Sequence, residues 1–223
     1  MAEPYLRAQN ANPLTFARHS YSSVPANQRG FTNEAAFLIF EESARLSCRP
    51  AFLPTPRIEE LMRVAAQYIS SLRKGQTNPS EFSQMGRWDA VFVAERLEEF
   101  FAKQIIESDG SAQLEIRPKL AGCGWIDAAE ADVLFGNTLY EVKAGERHFR
   151  MTDLRQLLCY CALNFSSKQY EIRNAALINP RFGTLIRDEL DSLCQQIAGA
   201  SSADVLGEII SYISEPFSRY QSI

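Results

Sequence analysis

Two acids and a lysine in residues 132–143, DVLFGNTLYEVK, have the types and spacing to hold a divalent cation and act on a phosphate. Gly136-Asn137 reads as a two-residue hairpin turn of type II′, which needs glycine at its first central position. That turn pairs Phe135 with Thr138, Leu134 with Leu139, Val133 with Tyr140 and Asp132 with Glu141. Cross-strand partners share a face of the sheet, and so do alternate residues along a strand. Asp132, Leu134, Leu139, Glu141 and Lys143 therefore fall on one face. Val133, Phe135, Thr138, Tyr140 and Val142 fall on the other, which reads as core.

Carboxylates directly opposite each other sit about 5 Å apart at Cβ and destabilise the pair. A divalent cation compensates. Mg²⁺ takes one or two carboxylates and completes its shell with water and substrate phosphate, and Mn²⁺ is expected to substitute for it. Lys143, two residues past Glu141, can hold a water or a phosphate oxygen beside the ion. Other readings stay open. The acids can be solvated on an exposed sheet face with Lys143 as their ion-pair partner, and Glu130 falls opposite Lys143 in the same register. A three-residue turn would slip the register by one and separate the faces.

The acid, the hairpin and Glu141-Val142-Lys143 resemble the signature of the PD-(D/E)XK nuclease superfamily, although Ala131 stands where the family name has proline. The following segment, DLRQLLCYCAL, places Gln156 and Tyr160 at i, i+4 on one helix face. It is similar to the Gln-X-X-X-Tyr helix of many members. The resemblance covers residues 124–164. It implies an α/β fold with a restriction-endonuclease-like α-β-β-β-α-β core, flanked by N-terminal and C-terminal helical extensions. It implies Asp132 and Glu141 as Mg²⁺ ligands, with the Val142 carbonyl, and Lys143 and Gln156 as catalytic groups. Members often add a glutamate from the first core helix, for which Glu95, Glu98 and Glu99 are candidates. The implied activity is metal-dependent hydrolysis of phosphodiester bonds, in DNA for most members and with an RNA nuclease left open by the shared phosphate chemistry, in a setting such as restriction, repair or defence against phage. The alternative of a different class is a non-catalytic nucleic-acid-binding or scaffold subunit of the same fold within a larger complex.

The surrounding elements must position these residues. The apolar stripe over residues 55–74 predicts a helix opening at Thr55-Pro56, and a second long helix runs from Ser80 or Arg87 to Ile106. A strand is expected at residues 113–118, the hairpin at 129–144, a helix at 152–165 with Thr152 or Asp153 as N-cap, and a closing strand at 170–180. Residues 185–199 and 202–213 read as two C-terminal helices. Residues 1–30 read as a polar arm. Thr32 is a possible N-cap for the next segment, whose Phe37-Leu38-Ile39-Phe40 fits a helix or a strand equally. The resulting organisation is an arm and helical extension over 1–80, a nuclease core over 81–183 and C-terminal helices over 184–223.

Hydrophobic residues make up 46% of the 223, enough for a core. No apolar run approaches the roughly 20 residues of a membrane span, and the N-terminus lacks a basic-then-apolar leader, so a cytoplasmic protein without a membrane partner is expected. The five cysteines lack zinc spacing and read as free thiols. A net charge of −4 argues against strong autonomous binding to nucleic acid. A homodimer or a protein partner would then supply DNA affinity. Arg147, Arg150 and Arg155, close behind Lys143, are the candidates for phosphate contact.

Overall fold

Residues 1–30 show no sustained hydrophobic period, yet residues 2–11 form a helix and 14–15 a strand. The computed structural model describes residues 1–22, 24–72 and 83–215. In it α1 (Ala2–Ala11) buries Tyr5 and Leu6, and the Tyr5 hydroxyl donates to Asp188. Two buried side chains are too few to register as a period, which is why the segment reads as an arm. A two-residue strand, β1 (Leu14–Thr15), follows. Then α2 (Arg29–Arg45) begins three residues before Thr32, whose hydroxyl donates to the Gln28 carbonyl from inside the helix. Residues 37–40 are helical, with Phe37, Ile39 and Phe40 buried. After a 3-10 turn at Pro50–Phe52, α3 (Thr55–Leu72) opens at the expected Thr-Pro pair. The expected break at residues 74–80 lies outside the described residues. Ser83 caps α4 (Gln84–Glu107), its hydroxyl accepting from the Gly86 N–H at 3.0 Å.

The strands β2 (Leu114–Ile116), β3 (Lys119–Leu120), β4 (Ala129–Glu130), β5 (Val133–Phe135) and β6 (Thr138–Val142) lead into α5 (Met151–Ser167). The helix crosses back to β7 (Asn174–Asn179), and β8 (Thr184–Glu189), α6 (Leu190–Ala198) and α7 (Ser202–Ser214) complete the chain as described. Arg150, rather than Thr152 or Asp153, precedes α5, and the Asp153 carboxylate accepts from its N–H at 2.8 Å. Among the described residues the strands form a mixed six-stranded sheet, β1-β8-β7-β6-β5-β2, with β3-β4 as a separate pair. Only β6 and β7 run parallel among the sheet neighbours. A parallel pair needs a long crossover, and α5 supplies it.

The protein is α/β, with helices on both faces of the sheet. Leu134, Leu139, Ala175, Leu177 and Ile186 pack under α1, α5, α6 and α7. Val133, Phe135, Tyr140, Ala176 and Ile178 pack under α2, α3 and α4. The sequence points to core on the second face only, because the acids mask the apolar character of the first. The expected helix over 185–199 starts instead at Leu190. Gly183, at φ +63°, turns the chain back, and residues 184–189 pair with β7. The sheet therefore takes a strand from each flanking segment, β1 from residues 1–80 and β8 from residues 184–223.

The β5–β6 turn sets which side chains reach the end of the sheet. Gly136 has φ +57°, as a type II′ turn requires, and Asn137 stays outside the positive region. In Gly136→Ala the side chain would have to hold that φ with its Cβ 3.2 Å from the Ala112 Cβ. The substitution is expected to cost about 1–2 kcal/mol, read as a lower urea midpoint with an unchanged slope.

Candidate active site

The β5–β6 ladder pairs Phe135 with Thr138, Leu134 with Leu139 and Val133 with Tyr140, and there it ends. Asp132 and Glu141 are not a ladder pair. Upstream of Val133 the chain leaves β6: Glu130 pairs with Lys119 rather than facing Lys143, and the Asp132 carbonyl accepts from the Arg117 N–H at 2.9 Å. The Asp132 side chain replaces the missing ladder bond, its Oδ2 accepting from the Val142 N–H at 2.7 Å. The strands part at this point, and a carboxylate fills the gap.

Glu141 is only 2% exposed. Its Oε1 accepts from Lys143 Nζ, and its Oε2 is buried with no hydrogen-bond partner. Burial first, and then the Asp132 charge, push its carboxyl up to about 8. Burial also raises Asp132, against the pull of the Val142 N–H and Lys143. Two carboxylates so placed cannot both ionise freely, which favours a proton shared by the pair. Lys143 Nζ also donates to Gln156 Oε1 at 3.0 Å, and Gln156 Nε2 donates to the Tyr160 hydroxyl at 3.0 Å. Asp132, Glu141, Val142, Lys143 and Gln156 are thus brought together, with Tyr160 one turn along α5.

These groups floor a cleft of about 670 Å³, walled by α2, α3 and α5. Two charged residues in it escaped the sequence reading. Glu34, on α2, is pushed up by burial and by Asp132 and Glu41, against Arg117 and Lys143. Gly30, Asn33, Glu34, Phe37 and Leu38 all face the cleft at helical spacing. That stripe emerges only once the helix is started at Arg29. Arg117 has φ +56° and lies 2.8 Å from Glu41, 3.8 Å from Glu34 and 3.7 Å from Glu130.

Other candidates lie elsewhere. Glu95 faces Arg49 at 3.7 Å, and Glu98 lines a shallow surface with Arg49 and Glu99. The cleft-facing helix glutamate comes from α2, because α4 turns Ala90, Val93, Ala94, Leu97 and Phe101 to the core and leaves Glu95, Glu98 and Glu99 outside the cleft. Arg147 is held by both oxygens of Asp153, at 2.6 and 2.8 Å, which lowers the Asp153 carboxyl. Arg150 and Arg155 are exposed, and none of the three arginines lines the cleft.

A buried arginine ties the α2 wall to α4 and to the chain leaving β6. Arg181 reaches both oxygens of Asp89 on α4 at 2.8 Å, Asn33 Oδ1 on α2 at 3.0 Å and the Ala144 carbonyl at 3.0 Å. Asn179 Nδ2 donates to the Gly145 and Arg147 carbonyls. The residues on either side of Glu34 and Lys143 are held by the same network.

The donor set suits a hard divalent ion. Among the described residues no three His, Cys, Asp or Glu side chains converge as a cage. Mg²⁺ does not require one, since two carboxylates with water and phosphate suffice, and the unpartnered Glu141 Oε2 is the atom such an ion would satisfy. All five cysteines are free thiols, and no helix among the described residues is long and apolar enough to cross a membrane. Comparison with protein-family models, curated proteins and solved structures finds no match for this chain.

The carboxyl shift has a consequence for stability. A glutamate raised in the fold from 4.5 to about 8 contributes stability below pH 4.5, and that contribution is lost as the pH climbs towards 8. Metal-free protein is expected to melt at falling temperatures across that window. Even one pKa unit amounts to about 1.4 kcal/mol, or about 3–5 °C in a chain of this size. Glu141→Gln is expected to flatten the slope in melting curves recorded with chelator. An equally steep slope in that variant would place the titration elsewhere.

Proposed function

We propose that this chain is a metal-dependent nuclease of the PD-(D/E)XK kind, hydrolysing phosphodiester bonds in DNA. The observation that carries the reading is the buried, unpartnered Oε2 of Glu141 beside Asp132, with Lys143 Nζ held between Glu141 and Gln156. The element order α4-β2-β5-β6-α5-β7 supports it, being the order expected of a restriction-endonuclease-like core. Asp132 and Glu141 supply the carboxylates for Mg²⁺ or Mn²⁺, with the Val142 carbonyl beside them. A cation bound there lowers the pKa of water and offsets charge on the phosphate.

The chain's own groups do the rest. Lys143, as an ammonium, has no lone pair for a metal. It donates to the attacking water or to a phosphate oxygen and stabilises the charge that builds there. Gln156 Oε1 accepts from Lys143, and the Tyr160 hydroxyl accepts from the same amide, so the amide is held with its oxygen towards the lysine. Gln156 in this role positions the lysine.

A second reading has its own support. Net charge is −4, Arg147 is committed to Asp153, and Arg150 and Arg155 lie outside the cleft, so the arginines behind Lys143 do not form a basic track into the site. A non-catalytic subunit, or an enzyme whose partner supplies DNA affinity, fits that balance.

One experiment separates the two. Plasmid, linear DNA and RNA are incubated with Mg²⁺ or Mn²⁺, and melting is recorded with and without the ion. Wild type is expected to cut DNA and to melt higher with metal. Lys143→Ala should keep the metal-induced rise and lose about 10²–10³-fold in rate. Gln156→Ala should lose about 10–100-fold, and Asp132→Asn and Glu141→Gln should lose both cutting and the rise. Lys143→Ala cutting as fast as wild type would refute the assignment. Metal binding by a wild type that cuts nothing would favour the scaffold.

A further inference from the structure

We propose that the cleft accepts an unpaired nucleotide stacked on Tyr68, so that the substrate class is single-stranded or locally unpaired nucleic acid. The inference rests on the nuclease reading and names what that site would take. It begins from depth. Glu141 is 2% exposed at the cleft floor, below walls built by α2, α3 and α5. A strand whose phosphate reaches the acids lies against those walls with its sugar and base. An unpaired base can meet them freely, whereas unstacking a paired base costs a few kcal/mol.

The α3 wall of the cleft is suited to that base. Val64 and Tyr68 stand at i, i+4 on α3, with 46% and 51% of their surfaces exposed, and both face the cleft. Among the described residues no aromatic ring stacks on Tyr68. Its phenol is near enough to Tyr160 to act on it electrostatically, as are Asp132 and Glu141. Phe37 and Leu38 extend the apolar side from α2. An exposed aromatic ring lining the same cleft as the acids and the lysine is the arrangement that binds single strands by stacking, without reading sequence.

Charge points the same way. Duplex binding draws on many lysine and arginine contacts to phosphate. Among the described residues the cleft offers two cations, and both have carboxylate partners: Arg117 lies among Glu34, Glu41 and Glu130, and Lys143 is bonded to Glu141. Stacking, rather than a basic track, has to supply the affinity.

The test compares one labelled strand in four forms: single-stranded DNA, the same sequence as RNA, a blunt duplex, and a duplex with a central unpaired bubble, each with Mn²⁺. Wild type is expected to cut the single strand and the bubble at least about tenfold faster than the blunt duplex. Tyr68→Ala is expected to raise KM on the single strand about tenfold, with kcat changed less than about threefold, as loss of one base stack predicts. Tyr68→Phe, which keeps the stacking face, recovers most of that loss. Tyr68 is half exposed, so melting curves should show Tyr68→Ala folded as wild type. Equal rates on blunt duplex and single strand, or an unchanged KM in Tyr68→Ala, would overturn the substrate class and leave the nuclease reading standing. Failure of wild type to cut any of the four would bring down the nuclease reading and this inference with it.

Discussion

A carboxylate kept almost fully out of water, next to another carboxylate and with one oxygen that no donor group of the fold reaches, persists only where the surroundings refuse to relax. Glu141 is that group. Left free to move, β6 would turn it to solvent or draw a hydrogen-bond donor to Oε2, since an unsatisfied buried acceptor costs about 1–3 kcal/mol. The surrounding structure prevents both. Leu139, two residues earlier on the same face, is sealed under α5, and the parallel ladder to β7 runs past Glu141 to Val142. Asp132 is pinned in turn by the Val142 N–H, so the second carboxylate cannot swing away.

Rigidity around the pair comes from buried polar bonds rather than from the apolar core alone. Arg181 joins α2, α4 and the exit of β6 through Asn33, Asp89 and Ala144. Removing one partner from such a pair leaves a bare buried charge, which is far more costly than the pair is worth. Arg147 and Asp153 fix the start of α5, and Asn179 fixes the loop before it. Gln156 and Tyr160 therefore meet Lys143 at set distances. Arginines that look in sequence like a phosphate-binding surface are in part structural fasteners, which also explains why an acidic chain carries basic residues so close to its acids.

Much of this was legible from short-range patterns. The Gly136-Asn137 turn determines the register of three residue pairs, and i, i+4 spacing places Gln156 with Tyr160. What sequence misses depends on long-range partners. β5 is abandoned at Asp132 because residues 129–130 pair with 119–120 instead, and no local signal announces that. β8 reads in sequence as the start of a helix because residues 184–189 have only two buried side chains, while its pairing is dictated by β7 and the Gly183 turn. Glu34 sits in a helix whose buried run, 35–37 and 39–40, hides the polar stripe beside it. Glu95 and Glu98 were reasonable candidates on a helix of the right order, but which face of α4 meets the sheet is decided by its aromatic and aliphatic packing.

The central claim is that Asp132 and Glu141 form a cation site that the metal-free protein fills with a proton. Calorimetric titration of Mn²⁺ at pH 7, repeated in two buffers of different ionisation enthalpy, reads both halves of it, because a metal that displaces a proton hands that proton to the buffer. The account predicts saturable binding with release of close to one proton per chain, and weakened binding without proton release in Glu141→Gln. Binding of equal strength and equal proton release in wild type and Glu141→Gln would contradict it.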